Sequence, residues 1–357
     1  MAVAAVAKAL DIAPERVVLH SMLLGGGFGR RGHRDEEFIV DAVLLSNAVK
    51  RPVKVIWTRE DDIRNGRFRP MSVHRLRAGL DSGGELTAWE HRVAGDEIMP
   101  FQDPVRYEGW GKRDLIAILG AELKPYEVPH RISEQLPQRT GIRTSSLRAI
   151  GYGPNKFATE TFLDEVARKK GADPVELRLD LLKNSPRSRR VIEAAARLSS
   201  WGQTREGRGL GFAFVDYAGT QVAGAVEISL NVTTGVIQAH NVWIAIDPGL
   251  AVQPDNIVAQ TEGSVIYGLS LALTERITIA DGAVQESNFY DYPILRLEDV
   301  PRIEVELMPS DAPPTGVGQM ATPLIAPALS NAVAALARVR LRHTPMTPDR
   351  VLAALQN

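Results

Sequence analysis

"GGGFGRRG", Gly25–Gly32, stands between an apolar stretch and a helical rhythm, and its spacing decides which folds are admissible. A dinucleotide fingerprint needs G-x-G-x-x-G at the mouth of a helix, with an acid about 20 residues on. Here Gly25, Gly27 and Gly29 give G-x-G-x-G, the next glycine is Gly32, and arginines occupy the place where the helix would open. No G-K-[ST] follows, so a P-loop fails as well. Two readings stay open at this point. The stretch is a tight strand–helix turn, or it is a backbone cradle whose consecutive glycine amides, with no Cβ in the way, form an anion- or oxo-binding nest.

Outward from that loop, the pattern alternates helices and strands. "MAVAAVAKALDIAPERV" lacks the basic region and cleavage signature of a leader and is expected to give a short helix, Ala2–Leu10, then a strand, Val17–Leu24. After the loop, Phe38, Ile39, Ala42, Val43, Leu45 and Ala48 fall at helical spacing behind a run of acids. "PVKVIWT" (Pro52–Thr58) reads as a strand, and His74–Leu80 with Leu86–Ala94 flank a "DSGG" turn as a hairpin. The prolines and glycines from Ile98 to Arg143 suggest an irregular excursion. Helices follow on either side of "GADP", and "SRRVIEAAARLSSWG" gives another that Gly202 is expected to stop. From Gly209 the rhythm is β, with "TTG" as a turn; a long helix covers Pro254–Thr274 and a short hairpin surrounds Asp281–Gly282. "RIEVELM" reads as a strand, "IAPALSNAVAALARV" as a buried helix and "TPDRVLAALQ" as a capped one. The expected fold class is α+β, in two lobes: residues 1–200 with the glycine and arginine loops, and 201–357 with the loops carrying Gln260 and Gln319.

Composition narrows the chemistry. With 42 basic and 43 acidic residues the net charge is −1, and the short runs "RRGHR" and "RNGRFR" are balanced by "DEE" and "EDD". That favours ion-paired surface over nucleic acid. Cysteine is absent, which removes disulfides, thiolate metal sites and iron–sulfur ligation from this chain. The seven histidines show no H-x-H or H-E-x-x-H spacing, so a metal here is expected inside an organic cofactor. No apolar run approaches the roughly 20 residues that a membrane span needs.

Three further stretches carry candidate chemistry. In "LRAIGYGPN", Arg148 precedes a glycine turn at Gly151 that opens a helix; it is either an ion-pair partner or an anion ligand. In "NIVAQTEGSVIYGLS", Gln260 and Glu262 lie in an otherwise apolar helix with room at Gly263, which implies a ligand or internal hydrogen bonds. In "PPTGVGQMATPLIAPALSNAV", Gly316 and Gly318 set an uncharged Gln319 at a helix mouth, as a structural turn or as part of a site.

In this order, "LLGGGFGRR", "RPVKVIWTREDDI", "FATETFLDE", "DPGLAVQPDNIVAQTEGSVIYGLS", "SNFYDYPILR" and the Gln319 stretch resemble the molybdenum-binding large subunit of the xanthine oxidase (molybdenum hydroxylase) family. The likeness covers nearly the whole chain and runs to the beta subunits of isoquinoline 1-oxidoreductase type and their aldehyde-oxidising relatives. It implies that Gly26, Gly27, Phe28 and Gly29 lie against a molybdenum oxo ligand and a pterin. It also implies that Arg148 and Gly151 sit on a second cofactor-facing loop, and that Gln260, with Gly263 and Gly318 beside it, meets the pterin or its phosphate arm. The cofactor would be a molybdenum–pterin, in the cytosine dinucleotide form.

Two departures from the family pattern set further expectations. The family's subunit is about twice as long, so this chain resembles its C-terminal half; a second chain is expected to supply the other half, and a further one two iron–sulfur clusters, in an obligate hetero-oligomer acting on a small molecule, cytoplasmic or exported with a partner. Where relatives carry a glutamate that acts as general base, this chain has Gln319, and an amide cannot take a proton near neutral pH. The resemblance then implies altered chemistry such as hydration of an activated double bond or alcohol dehydrogenation, or hydroxylation with another carboxylate such as Glu262, or a silent scaffold subunit. The substrate class would be heterocyclic, carbonyl or alicyclic.

Overall fold

The computed structural model describes residues 1–203 and 205–356. Helix α1 (Ala2–Leu10) buries Val6 and Ala7 against α2 (Glu37–Val49), and the short α3 (Arg59–Asn65) starts at a reciprocal cap between Thr58 and Asp61. Strands β1 (Ser72–Leu80) and β2 (Leu86–Asp96) form the expected hairpin; Asp81 accepts from the amides of Gly83 and Glu85, which fixes the turn. The segment after it is partly regular: α4 (Met99–Gln102), α5 (Pro104–Gly109) and then β3 (His130–Gln138), which adds parallel to β2 at the edge of a three-stranded sheet.

Three helices follow, α6 (Tyr152–Lys170), α7 (Pro174–Asp180) and α8 (Pro186–Leu198). Gly171 ends α6 in the left-handed region, and Asp173 caps α7 through the amides of Val175 and Glu176. A second sheet has the order β4 (Gly209–Tyr217), β5 (Thr220–Leu230), β6 (Ile237–Asp247), then the late strand β9 (Arg302–Leu307) parallel to β6. Between β6 and β9 run α9 (Pro254–Leu273) and the small hairpin β7 (Ile279–Ala280) with β8 (Ala283–Val284). Helices α10 (Thr322–Ala337) and α11 (Pro348–Leu355) close the chain.

Alternation along β4 and β5 divides the interior. Val215, Val222 and Val226 pack with Val265 and Leu269 of α9 and Leu324, Ile325 and Leu329 of α10. Phe212, Phe214, Ala223 and Ala225 face the other way, onto Leu163 of α6, Leu177 of α7, Val191 and Ile192 of α8, and Trp89 of the first sheet. Residues 1–200 and 201–357 therefore contribute to a shared core, with one sheet packed between helices drawn from both stretches.

Four local expectations are corrected. Val17–Leu24 and Pro52–Thr58 have no regular secondary structure and, among the described residues, pair with no strand, so neither is a strand here. The excursion from Ile98 to Arg143 contains β3, whose pairing is long-range and leaves no local periodicity. Helix α8 ends at Leu198, with Ser199 as its cap, ahead of Gly202.

Candidate functional site

The glycine loop is pinned from behind. Arg30 N–H donates to the Gly27 carbonyl and Gly32 N–H to that of Gly29, two turns in succession. Gly29, at φ 90°, brings bare backbone against the loop at residues 145–148; a Cβ there would stand 2.6 Å from the Ser146 carbonyl carbon. Arg148 N–H donates to the Phe28 carbonyl at 3.0 Å, completing the seam between the two loops. Buried His33 lies underneath, its Nε2 3.0 Å from the Ser145 hydroxyl; burial, reinforced by the Arg67 charge, pushes its pKa down to about 4. The close approach that the glycines permit is thus, at Gly29, to protein backbone, while Gly25 faces open space.

Arg148 fastens this seam to two more elements. Its Nε donates to the Gly318 carbonyl (2.8 Å), Nη1 to the Gly263 carbonyl (3.1 Å), and Nη2 to Ser264 Oγ (2.8 Å) and the Gln260 carbonyl (3.2 Å). Gln260 Oε1 is a further acceptor at 3.3 Å. The planar fork reaches several acceptors at once, which a point charge cannot do. The guanidinium also lies 5.7 Å from the Phe28 ring and 5.6 Å from the Tyr267 ring, which stack on each other. Every partner is neutral, and no carboxylate lies within 4 Å of the group among the described residues. Burial lowers the Arg148 pKa, with only Tyr267 acting the other way. A buried cation without a counter-ion is electrostatically unfinished, and an anionic group nearby would complete it.

The turn after Arg148 is strained. Ala149 and Ile150 sit at φ 77° and 36°, in the left-handed region, although neither is glycine. Arg69 holds the turn by donating to the Arg148 carbonyl at 2.6 Å and to that of Ile150 at 3.3 Å. The strain aims the Ala149 N–H at Gln319, whose Oε1 accepts it at 2.8 Å. Since the oxygen takes that bond, the other end of the Gln319 amide is an NH2, a donor with no lone pair to offer.

Helix geometry sorts the residues of α9. Gln260, Gly263, Ser264 and Tyr267 recur at the i, i+3, i+4, i+7 spacing of one face, the face that meets Arg148 and Phe28. Glu262 lies about 200° around the helix from Gln260, outside that face. Gln260 is exposed rather than buried, which corrects its sequence reading; its side-chain oxygen still finds Arg148. Gly151 packs against the Ile116 and Ala117 carbonyls at the start of α6, so it supports the turn from behind. Around Gly318 nothing lies within 4 Å of a Cβ position.

The structure therefore brings together Phe28, Gly29, Arg148, Gln260, Gly263, Gly318 and Gln319, with Gly26 and Gly27 on the same loop, and leaves Glu262 apart. Sequence reasoning missed Arg69, Ala149, Ile150 and Tyr267. The i+7 relation of Tyr267 to Gln260 was a usable signal, but a positive φ at alanine or isoleucine leaves none. Beside the turn opens a cleft of about 620 Å³, bordered by Arg69, Leu147, Ala149, Phe289, Tyr292 and Thr322. Among the described residues no cluster of three or more His, Asp or Glu side chains forms a metal site, and no helix is long and apolar enough to cross a membrane.

Residues 1–182 match the family described as molybdopterin cofactor-binding domain, and residues 148–301 match a second family of the same description. The chain is 37% identical over 344 residues to the beta subunit of isoquinoline 1-oxidoreductase from Brevundimonas diminuta, covering 95% of this chain and 44% of that protein. It is 30% identical to a nicotinate dehydrogenase component of Pseudomonas putida, over 95% of this chain and 30% of that protein. Among solved structures, quinoline 2-oxidoreductase from Pseudomonas putida superposes with a TM-score of 0.86 over 100% of this chain and 71% of that one, at 15% identity. The aldehyde oxidoreductase of Desulfovibrio gigas gives 0.77 over 99% and 56%, also at 15%, so the likeness to both structures is one of fold. The chain spans less than half the length of the curated relatives it matches.

Proposed function

Since the chain belongs to the molybdopterin cofactor-binding family of xanthine oxidase type, we propose that it is the part of a molybdenum–pterin oxidoreductase that holds the cofactor by the seam of Gly25–Gly32, Arg148–Gly151, Gln260–Ser264 and Gly318–Gln319. The observation that carries this reading is Arg148, a buried cation surrounded only by neutral oxygens, beside Gly25 and Gly318, whose Cβ directions are open. That donor set suits an anionic, phosphate-bearing pterin; the cytosine dinucleotide form is carried over from the family resemblance alone. When bound, the group supplies two-electron redox chemistry at an oxo-metal centre. The chain's own residues do the rest. Arg148 offers charge while fixing three backbone segments, Gln260 presents an exposed amide, and Phe28 and Tyr267 wall the site.

Gln319 sets the chemistry apart. Its Oε1 is engaged by Ala149, so its NH2 end orients an oxygen of substrate or water by donation and removes no proton. Glu262, on another face of α9, does not replace the missing base. This favours reactions that need a positioned hydroxyl or carbonyl, namely hydration of an activated double bond or dehydrogenation of an alcohol, on a heterocyclic, carbonyl or alicyclic substrate. The working assembly includes the remainder of the molybdopterin subunit, on this polypeptide or another, and an iron–sulfur chain.

The test is Gln319→Glu in the assembly purified from its host through a tag on this chain. With N-heterocycles and aldehydes as substrates, dye reduction should rise at least tenfold and acquire an acid limb set by a carboxylate. An unchanged rate, with molybdenum content equal to that of the wild type, would show that position 319 is not where proton removal was lost.

A further inference from the structure

Two segments carry the sequence of strands yet belong to no sheet. Residues 18–24 and 53–57 have no regular secondary structure, and among the described residues none of their backbone N–H groups finds a backbone acceptor. Their side chains are not those of a loop. Val18 is 76% exposed, Met22 83%, Leu23 105% and Ile56 74%. Leu23 and Leu24 are consecutive and both bare; in a strand they would face opposite sides of the sheet, so neither side is covered within this structure. Helix α2, which joins the two segments, is mostly apolar, but none of its residues is buried and Leu44 and Leu45 are exposed.

A strand, a helix and a second strand in that order form the parallel crossover unit, in which the helix covers one face of the sheet that holds both strands. Here the two strands are not bonded to each other, so the unit is complete only if strands from elsewhere lie between or beside them. Bare strand edges and contiguous apolar surface of this kind are templates for pairing. The curated relatives are more than twice as long as the stretch that matches this chain, so most of such a subunit lies outside it. We infer that residues 17–24 and 52–58 are incomplete sheet strands that receive β-strands from the remainder of the molybdopterin-binding subunit, with α2 covering one face of the joint sheet. The inference rests on the proposed reading of the chain as part of such a subunit. It also ties assembly to the site, because residue 24 runs directly into Gly25 and the glycine loop.

The assembly isolated from its host through a tag on this chain provides the test, with amide hydrogen exchange as the readout. Amides of 18–24 and 53–57 should exchange roughly a hundredfold or more slower than unprotected amides, as in a sheet interior. A photo-crosslinking residue placed at Met22 or Ile56 should join to the remainder of the molybdopterin subunit. Fast exchange of both segments overturns the inference, as does a crosslink to the iron–sulfur chain or to a second copy of this chain. Molybdenum measured on the same sample separates the two claims. Protection without molybdenum upholds the joint sheet and counts against the cofactor reading, while molybdenum without protection refutes the joint sheet alone.

Discussion

The seam between the glycine loop and the arginine loop depends on one missing side chain, and Gly29→Ala isolates it. A Cβ at Gly29 overlaps the Ser146 carbonyl oxygen and lies 2.6 Å from its carbon and 3.3 Å from Leu147 Cα, where ordinary contact begins near 3.4 Å. The obstacle is backbone, so no rotamer relieves it, and the loops must part. The left-handed φ of 90° adds about 1–2 kcal/mol for a residue with a Cβ. Overpacking adds about 1–3 kcal/mol, and loss of the bond from Arg148 N–H to the Phe28 carbonyl about 0.5–1.5 kcal/mol. The sum is about 2.5–6.5 kcal/mol, limited by the free energy at which the loop detaches locally. The readout is therefore amide exchange at Arg148, expected to quicken by roughly a hundredfold or more, since each tenfold corresponds to about 1.4 kcal/mol. Gly25→Ala, with open space at its Cβ, should leave that amide unchanged. If Gly29→Ala keeps Arg148 protected to within about threefold of wild type, the close approach is not what holds the seam.

Other outcomes follow from neighbouring groups. Arg148→Lys keeps a charge but not the fork, leaving carbonyls of Gln260, Gly263 or Gly318 unpaired; the urea midpoint should fall by the equivalent of about 2–4 kcal/mol, and an unchanged midpoint would refute the stapling role. A pH dependence arises at His74 and His91. The His91 Nδ1 bonds the Ala121 carbonyl, so its Nε2 accepts from His74 Nδ1, and the Ser72 hydroxyl completes a neutral chain at His74 Nε2. Burial pushes the two pKa values down to about 3 for His74 and about 4 for His91. The unfolded chain then binds more protons, so stability is full above the ordinary histidine value near 6.5 and falls as pH drops toward 4. His91→Gln should flatten the acid slope by roughly 3 kcal/mol at pH 4, measured by urea titration across pH; an unaltered slope would mean that other groups dominate it.

What the sequence reveals depends on how local its cause is. Helices α6 and α7 are legible because Gly171, Asp173 and Pro174 punctuate the chain where it must turn, and the β1–β2 hairpin because Asp81 organises its own turn. Strand β3 is hidden because its partner β2 lies on the far side of a long excursion and Pro137 interrupts its pattern, which an edge strand tolerates. Val17–Leu24 and Pro52–Thr58 show the opposite case: their residues specify strands, but a strand needs a neighbour, and among the described residues none pairs with them. At the site, residue types were readable and contacts were not. Arg148 joins positions 112 to 170 residues away, and the strain at Ala149 and Ile150, which aims an amide at Gln319, exists only in the folded backbone.

The central claim is that the four converging segments hold a molybdenum–pterin through a cation left without a counter-ion. It is tested most directly by metal and pterin analysis of the assembly purified through this chain, for wild type and Arg148→Met. Wild type should carry close to stoichiometric molybdenum and pterin, and Arg148→Met should lose most of both. Wild type without molybdenum, or Arg148→Met that retains it in full, would contradict the claim.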